Sequence, residues 1–83
     1  MDARQLIGGA AFPPDVLRVL FDAFDDAWAE VAPDVSGDPT VVDAARLSLA
    51  GIVLSVAATG PIERDVIKAA AVNGFRQKHR IGN

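Results

Sequence analysis

Twelve consecutive residues, Leu47 to Ala58, carry no charge, and they sit inside a longer apolar stretch from Thr40 to Thr59, TVVDAARLSLAGIVLSVAAT. As a helix turning about 100° per residue, this stretch is apolar on nearly every side. Val41, Val42, Ala45, Leu49, Ile52, Val53 and Val56 form one broad stripe, and Leu47 and Leu54, seven apart, form a second line. Between them runs a line of small residues, Ala44, Ser48, Gly51 and Ser55. A helix that is apolar all round has to be buried all round, so the rest of the chain is expected to wrap this one.

A membrane span needs about 20 apolar residues, and Asp43 and Arg46 abut the uncharged run. The β-branched residues suit a strand, but the alanines at 44, 45, 50, 57 and 58 favour a helix. The reading is therefore a core helix. Gly51 costs it roughly 1 kcal/mol relative to Ala, which the close approach of a neighbouring helix would explain. Small residues at spacings of three and four permit such an approach.

The flanks read as two further helices. Pro14 and Asp15 suit the opening turn of a first helix near 14–32. Val16, Leu17, Leu20, Phe21, Phe24, Ala27, Trp28 and Val31 share one face of it, anchored by Leu17, Phe21, Phe24 and Trp28. Arg18, Asp22, Asp25, Asp26 and Glu30 take the other face. Pro33 ends it. Asp38 and Pro39 suit the N-cap and first position of the central helix, near 39–59. Thr59-Gly60-Pro61 closes that helix, with Gly60 as a left-handed cap or as the next N-cap, and opens a third helix near 61–78. Its stripe is read as Ile62, Val66, Ile67 and Ala70, continued by Asn73 and Gly74. Residues 1–12, with Gly8-Gly9, read as a flexible lead, and 13–81 as a single helical domain.

The expected fold is thus an all-α three-helix bundle. Two flanking helices cover only part of so apolar a central one, so the bundle is expected to be completed by homodimerisation. The interface candidates are Ala44, Leu47, Ser48, Gly51, Leu54 and Ser55. With 83 residues and no cysteine, the chain has no disulfide or thiolate metal site to reinforce a small core. No convincing secretory signal opens it, since Asp2 is acidic and Pro13-Pro14 follow the short apolar run. The expectation is a cytoplasmic protein.

Little here carries chemistry. Asp22, Asp26 and Glu30 are spaced by four, with Asp25 adjacent. Calcium takes six to eight oxygens from a flexible loop, so this row reads as a solvated acidic face. His79 is the only histidine and lies among Arg76, Lys78 and Arg80. With no second histidine and no cysteine, no metal or cofactor is expected. Ser36, Ser48 and Ser55 lie outside any nucleophile turn, and no enzyme activity is expected. Residues 1–43 carry −7 and residues 44–83 carry +4, summing to the chain's −3. This asymmetry points to self-association or to a charged partner. Arg76, Lys78 and Arg80 form an anion-binding candidate, although the overall acidity makes nucleic acid a poor partner.

The segments FDAFDDAWAEVA, DAARLSLAGIVLSVA and ERDVIKAAA together resemble a group of short alphaproteobacterial proteins with AFD-x-AW and AARL-x-LA helices. The resemblance covers about residues 21–71. It implies a helical fold and a bacterial background, and the group brings no known activity, so no catalytic or ligand position transfers. The functional expectation is a small non-enzymatic interaction or regulatory module, as a homodimer or with another protein. The alternatives are an apolar-ligand protein with a pocket near Trp28, and an accessory to nucleic acid or anionic membrane working through the basic end.

Overall fold

The structure, a computed structural model, describes residues 2–35 and 37–78. Its elements are all helical: α1 (Ala3–Gly8), α2 (Pro14–Val31), a 3-10 turn (Ala32–Asp34), α3 (Pro39–Thr59) and α4 (Arg64–Lys78). Among the described residues the all-α expectation holds, but the helices number four rather than three.

The additional helix is α1, where a flexible lead was expected. Asp2 caps it: the Arg4 amide donates to the Asp2 carboxylate at 3.4 Å, and the Asp2 amide donates to Oε1 of Gln5 at 3.4 Å. This reciprocal box satisfies two of the backbone donors that a helix start leaves without partners. Ala3 and Ile7, four apart, are buried, Ile7 completely. Gly8-Gly9 ends the helix rather than preventing it, and the Gly9 amide donates back to the Gln5 carbonyl at 2.9 Å.

The longer helices follow their end signals. Pro14 opens α2 with Asp15 in its first turn. The Asp38 carboxylate accepts from the Thr40 amide at 2.9 Å, with Pro39 at the first position of α3. Before Pro33 the chain does not leave helical angles at once. Ala32 sits at φ −54° and ψ −40°, and the helix tightens into the 3-10 turn because Pro33 has no N–H to continue the ladder. Gly60 is extended, at φ −140° and ψ −174°, not left-handed. Pro61, Ile62 and Glu63 precede α4, which therefore starts three residues later than expected.

Twenty-one residues of α3 span about 31 Å at 1.5 Å per residue. That rod sets the long dimension of a 37 × 24 × 17 Å molecule. The ion pairs Asp26–Arg64 (3.6 Å) and Glu30–Lys68 (3.4 Å) on α2 and α4, continued by Asp34 of the 3-10 turn with Arg76 (3.8 Å), ascend together, so those helices run parallel. The most extensive helix contact joins α2 to α4, and α1, α2 and α4 all pack on α3. The most completely buried large side chains are Phe24, Ile7, Leu20, Leu49, Ile67, Val31 and Val53, drawn from all four helices.

Two sequence assignments of buried faces need correction. On α4 the buried residues are Ile67, Ala71, Val72 and Phe75, whereas Val66 is 42% exposed and Ala70 and Asn73 face solvent. The core line is thus Ile67, Ala71, Gly74 and Phe75, at spacings of four, three and one, and it continues past Asn73-Gly74. On α3 only one side is buried: Ala45, Leu49, Ala50, Val53 and Ala57. The apolar character of α3 extends around the helix, and its burial does not.

Candidate interaction surface

The outer side of α3 follows from helical phase. Buried Ala45, Leu49, Val53 and Ala57 point one way, so residues half a turn round point outward. Ala44, Gly51, Ser55 and Ala58 are exposed, while Leu47, Ser48 and Leu54 are half-buried. All six interface candidates from the sequence therefore lie on this outer side or its flanks. Between Ala44 and Thr59 the only charge on α3 is Arg46, and it does not join this face. Its guanidinium lies 5.2 Å from the ring centroid of Phe24 and 5.3 Å from that of Trp28, folded over α2. The outer face is left uncharged for four turns.

The explanation first offered for Gly51 fails within the chain. A Cβ added there would meet nothing within 4 Å, so no helix of the same molecule approaches it. The close approach occurs at Gly74 instead, where an added Cβ would lie 3.3 Å from Cγ2 of Ile52.

A seven-residue spacing orders the outer face. Ala44, Gly51 and Ala58 are seven apart, as are Leu47 and Leu54, and Ser48 and Ser55, so Leu-Ser recurs one heptad on. Such a repeat keeps one stripe turned toward a helix running alongside. Two heptads are fewer than a sustained coiled coil shows, which suits a short pairing of helices.

The other candidates fare differently. The acidic row lies on the exposed side of α2, where Asp26 meets Arg64 and Glu30 meets Lys68 with both acids still about half exposed. Asp25 accepts from Arg4 at 2.9 and 3.1 Å. Much of the charge asymmetry along the chain is thereby spent inside the molecule, acids of α2 against bases of α4. No group of three or more His, Asp or Glu side chains suited to a metal ion occurs among the described residues. Of the anion-binding candidates, Arg76 pairs with Asp34 at 3.8 Å and Lys78 is exposed at the end of α4. Arg80, and His79 beside it, lie outside the described residues.

Trp28 is half-buried, and Arg46 covers it. The hollow beside Arg46, about 270 Å³, is lined by Asp2, Ala3, Asp43 and Arg46. Three charged side chains around one alanine suit a polar occupant better than an apolar one. Among the described residues no polar side chain is buried, and no buried side-chain nitrogen or oxygen lacks a partner. The helix α3 is long and apolar enough to cross a membrane by length and composition, with a mean hydropathy of 1.8 and 28% of its most apolar window buried. No protein-family model, curated protein or solved structure matches the chain significantly.

Proposed function

We propose that this chain is a small, non-enzymatic interaction module that works as a homodimer, paired through the outer face of α3. One observation carries the reading: along four uncharged turns the outer side of α3 exposes Ala44, Gly51, Ser55 and Ala58, and Leu47 and Leu54 border it half-buried against the core, with the same residue types recurring at sevens. Small exposed residues alone cost a monomer little. The Leu47/Leu54 line, which the chain covers only in part, is what gains from a second helix, at about 25 cal/mol per Å² of apolar surface removed from water.

The spacing also supports a second copy as the partner. Ala44 and Ala58 stand seven residues either side of Gly51. In an antiparallel pair with its two-fold axis at Gly51, Leu47 comes beside Leu54 of the partner subunit, and Ser48 beside Ser55 of the partner subunit. Such a self-complementary patch is what a two-fold interface requires.

Light scattering across a concentration series tests the proposal. The unmodified chain should show twice its monomer mass, and Gly51→Leu should show the monomer mass with unchanged helical circular dichroism. A monomer at every concentration for the unmodified chain, or a Gly51→Leu variant that still pairs, removes the outer face of α3 as the interface.

A further inference from the structure

The N-terminal helix α1 is held by the buried Ala3 and Ile7, by the half-buried Leu6 and by one exposed ion pair. It is six residues long, too short to hold a helix alone in water. Ala3 and Ile7 are its buried side chains. One cation fastens its exposed side: Arg4 donates to both carboxylate oxygens of Asp25, and its guanidinium lies 4.7 Å from the ring centroid of Phe21. Behind it comes Gly8-Gly9, and then Pro13, which at ψ 157° leads extended into α2. The other three helices keep a core of their own, with Leu20, Phe24, Leu49, Val53, Ile67 and Phe75 buried among them, together with the ion pairs between α2 and α4. Opening of α1 leaves in place the contacts that join α2, α3 and α4 to one another.

What α1 covers gives that release a consequence. It packs more extensively on α3 than on α2, and the hollow at its N-terminal end is walled by Asp43 and Arg46 of α3. By helical spacing Asp43, Leu47, Ala50 and Leu54 lie on one line of α3, so α1 sits on the flank that carries the two leucines. A helix docking on the outer face of α3 meets α1 along this edge.

We propose that α1 is a latch: closed, it withholds the Leu47/Leu54 flank of α3, and opened, it yields that flank to a second copy of the chain. Regulation of pairing in this form rests on the homodimer reading above, whereas the opening of α1 stands on its own contacts. The Arg4–Asp25 pair is the catch. Both partners are about half exposed, at 48% and 55%, so the catch is weak and screened by salt.

The test uses the full chain in three forms: unmodified, Arg4→Glu, and Arg4→Glu with Asp25→Arg. Amide hydrogen exchange reads the latch and light scattering reads the pairing. The unmodified chain should exchange the α1 amides well before those of α2 and α4. Arg4→Glu should speed α1 exchange roughly fivefold, in line with the loss of one exposed ion pair, and lower the concentration at which the chain pairs. The double variant, with the charges reversed, should restore both. Exchange in α1 as slow as in α2 would show that there is no latch. Faster exchange with unchanged pairing would show that α1 does not govern the interface. Faster exchange in a chain monomeric in all three forms would overturn the regulatory role, and would trace the failure to the homodimer reading.

Discussion

Cγ2 of Ile52 on α3 lies 3.3 Å from where a Cβ on Gly74 of α4 would sit. The two helices meet there almost backbone to side chain, and the glycine permits it. Gly51, on the same helix as Ile52, has open space around it. The two glycines thus predict opposite responses to one methyl group. Gly51→Ala should stabilise the isolated chain by about 1 kcal/mol, the difference in helix propensity. Gly74→Ala gains the same propensity but makes Ile52 move by a few tenths of an ångström, so its net effect should lie near zero. Gly74→Val should destabilise by about 1–3 kcal/mol through overpacking. Urea unfolding below the pairing concentration measures all three, and equal gains from the two alanine substitutions would refute the close contact at Gly74.

Phe24 is fully buried on α2, and Arg46 of α3 lies over its ring. Phe24→Ala should cost about 3–5 kcal/mol, the range for removing a buried ring. A domain of this size has only about 5–15 kcal/mol in all, so thermal unfolding should shift far downward. Phe21→Ala, at a half-buried neighbour, should cost distinctly less. Similar melting temperatures for the two variants would contradict the burial that separates them.

The fold is legible in the sequence where a side chain settles a local choice. Asp38 and Pro39 fixed the start of α3 because a carboxylate and a missing N–H have few other uses at that spacing. Pro14 did the same for α2, and its one-sided pattern correctly placed Leu20, Phe24, Ala27 and Val31 inside. A tertiary decision leaves no such local mark. In α4, Ala69, Ala70 and Ala71 blur the difference between faces, and the choice of Ile67 over Val66 follows from where α3 meets Gly74. For α1 a local signal was present: Asp2 with Gln5 three residues on, and Ala3, Leu6 and Ile7 at helical spacing. Gly8-Gly9, a pair that also discourages regular structure, masks that signal, and in the molecule it ends the helix. The outer face of α3 was legible in composition but not in burial, because exposing Ala, Gly and Ser costs too little to reveal itself in sequence.

The ladder between α2 and α4 predicts a salt-dependent charge effect. Glu30 and Lys68 meet at 3.4 Å with side chains 44% and 34% exposed. Such a pair contributes about 0.2–1 kcal/mol in a surface setting. Glu30→Lys should therefore destabilise by about 1 kcal/mol at low salt, and by less at 1 M salt, where the screening length falls to about 3 Å. Adding Lys68→Glu should restore most of the loss. A Glu30→Lys penalty unchanged by salt would assign the effect to packing of the side-chain stem rather than to charge.

Arg46 is the charged residue that the apolar length of α3 does carry, and its position shows how it is accommodated. It lies over Phe24 and Trp28 together, so a cation on the core helix is placed on aromatic faces, which attract it, and its stem lies along apolar surface. Removing it as Arg46→Ala loses both contributions and should cost about 1–2 kcal/mol, summing a partly desolvated cation–π contact with lost packing. Arg46→Lys keeps the charge but not the planar group that stacks on a ring, and should cost roughly half as much. Trp28 is the chain's only tryptophan and reports the change directly. Uncovered, its emission should move to longer wavelength in Arg46→Ala before any unfolding, and by less in Arg46→Lys. If stability falls while the emission stays where it was, Arg46 supports the fold by some route other than covering Trp28. If neither quantity moves, α3 carries its one inner charge without help from the rings beneath it.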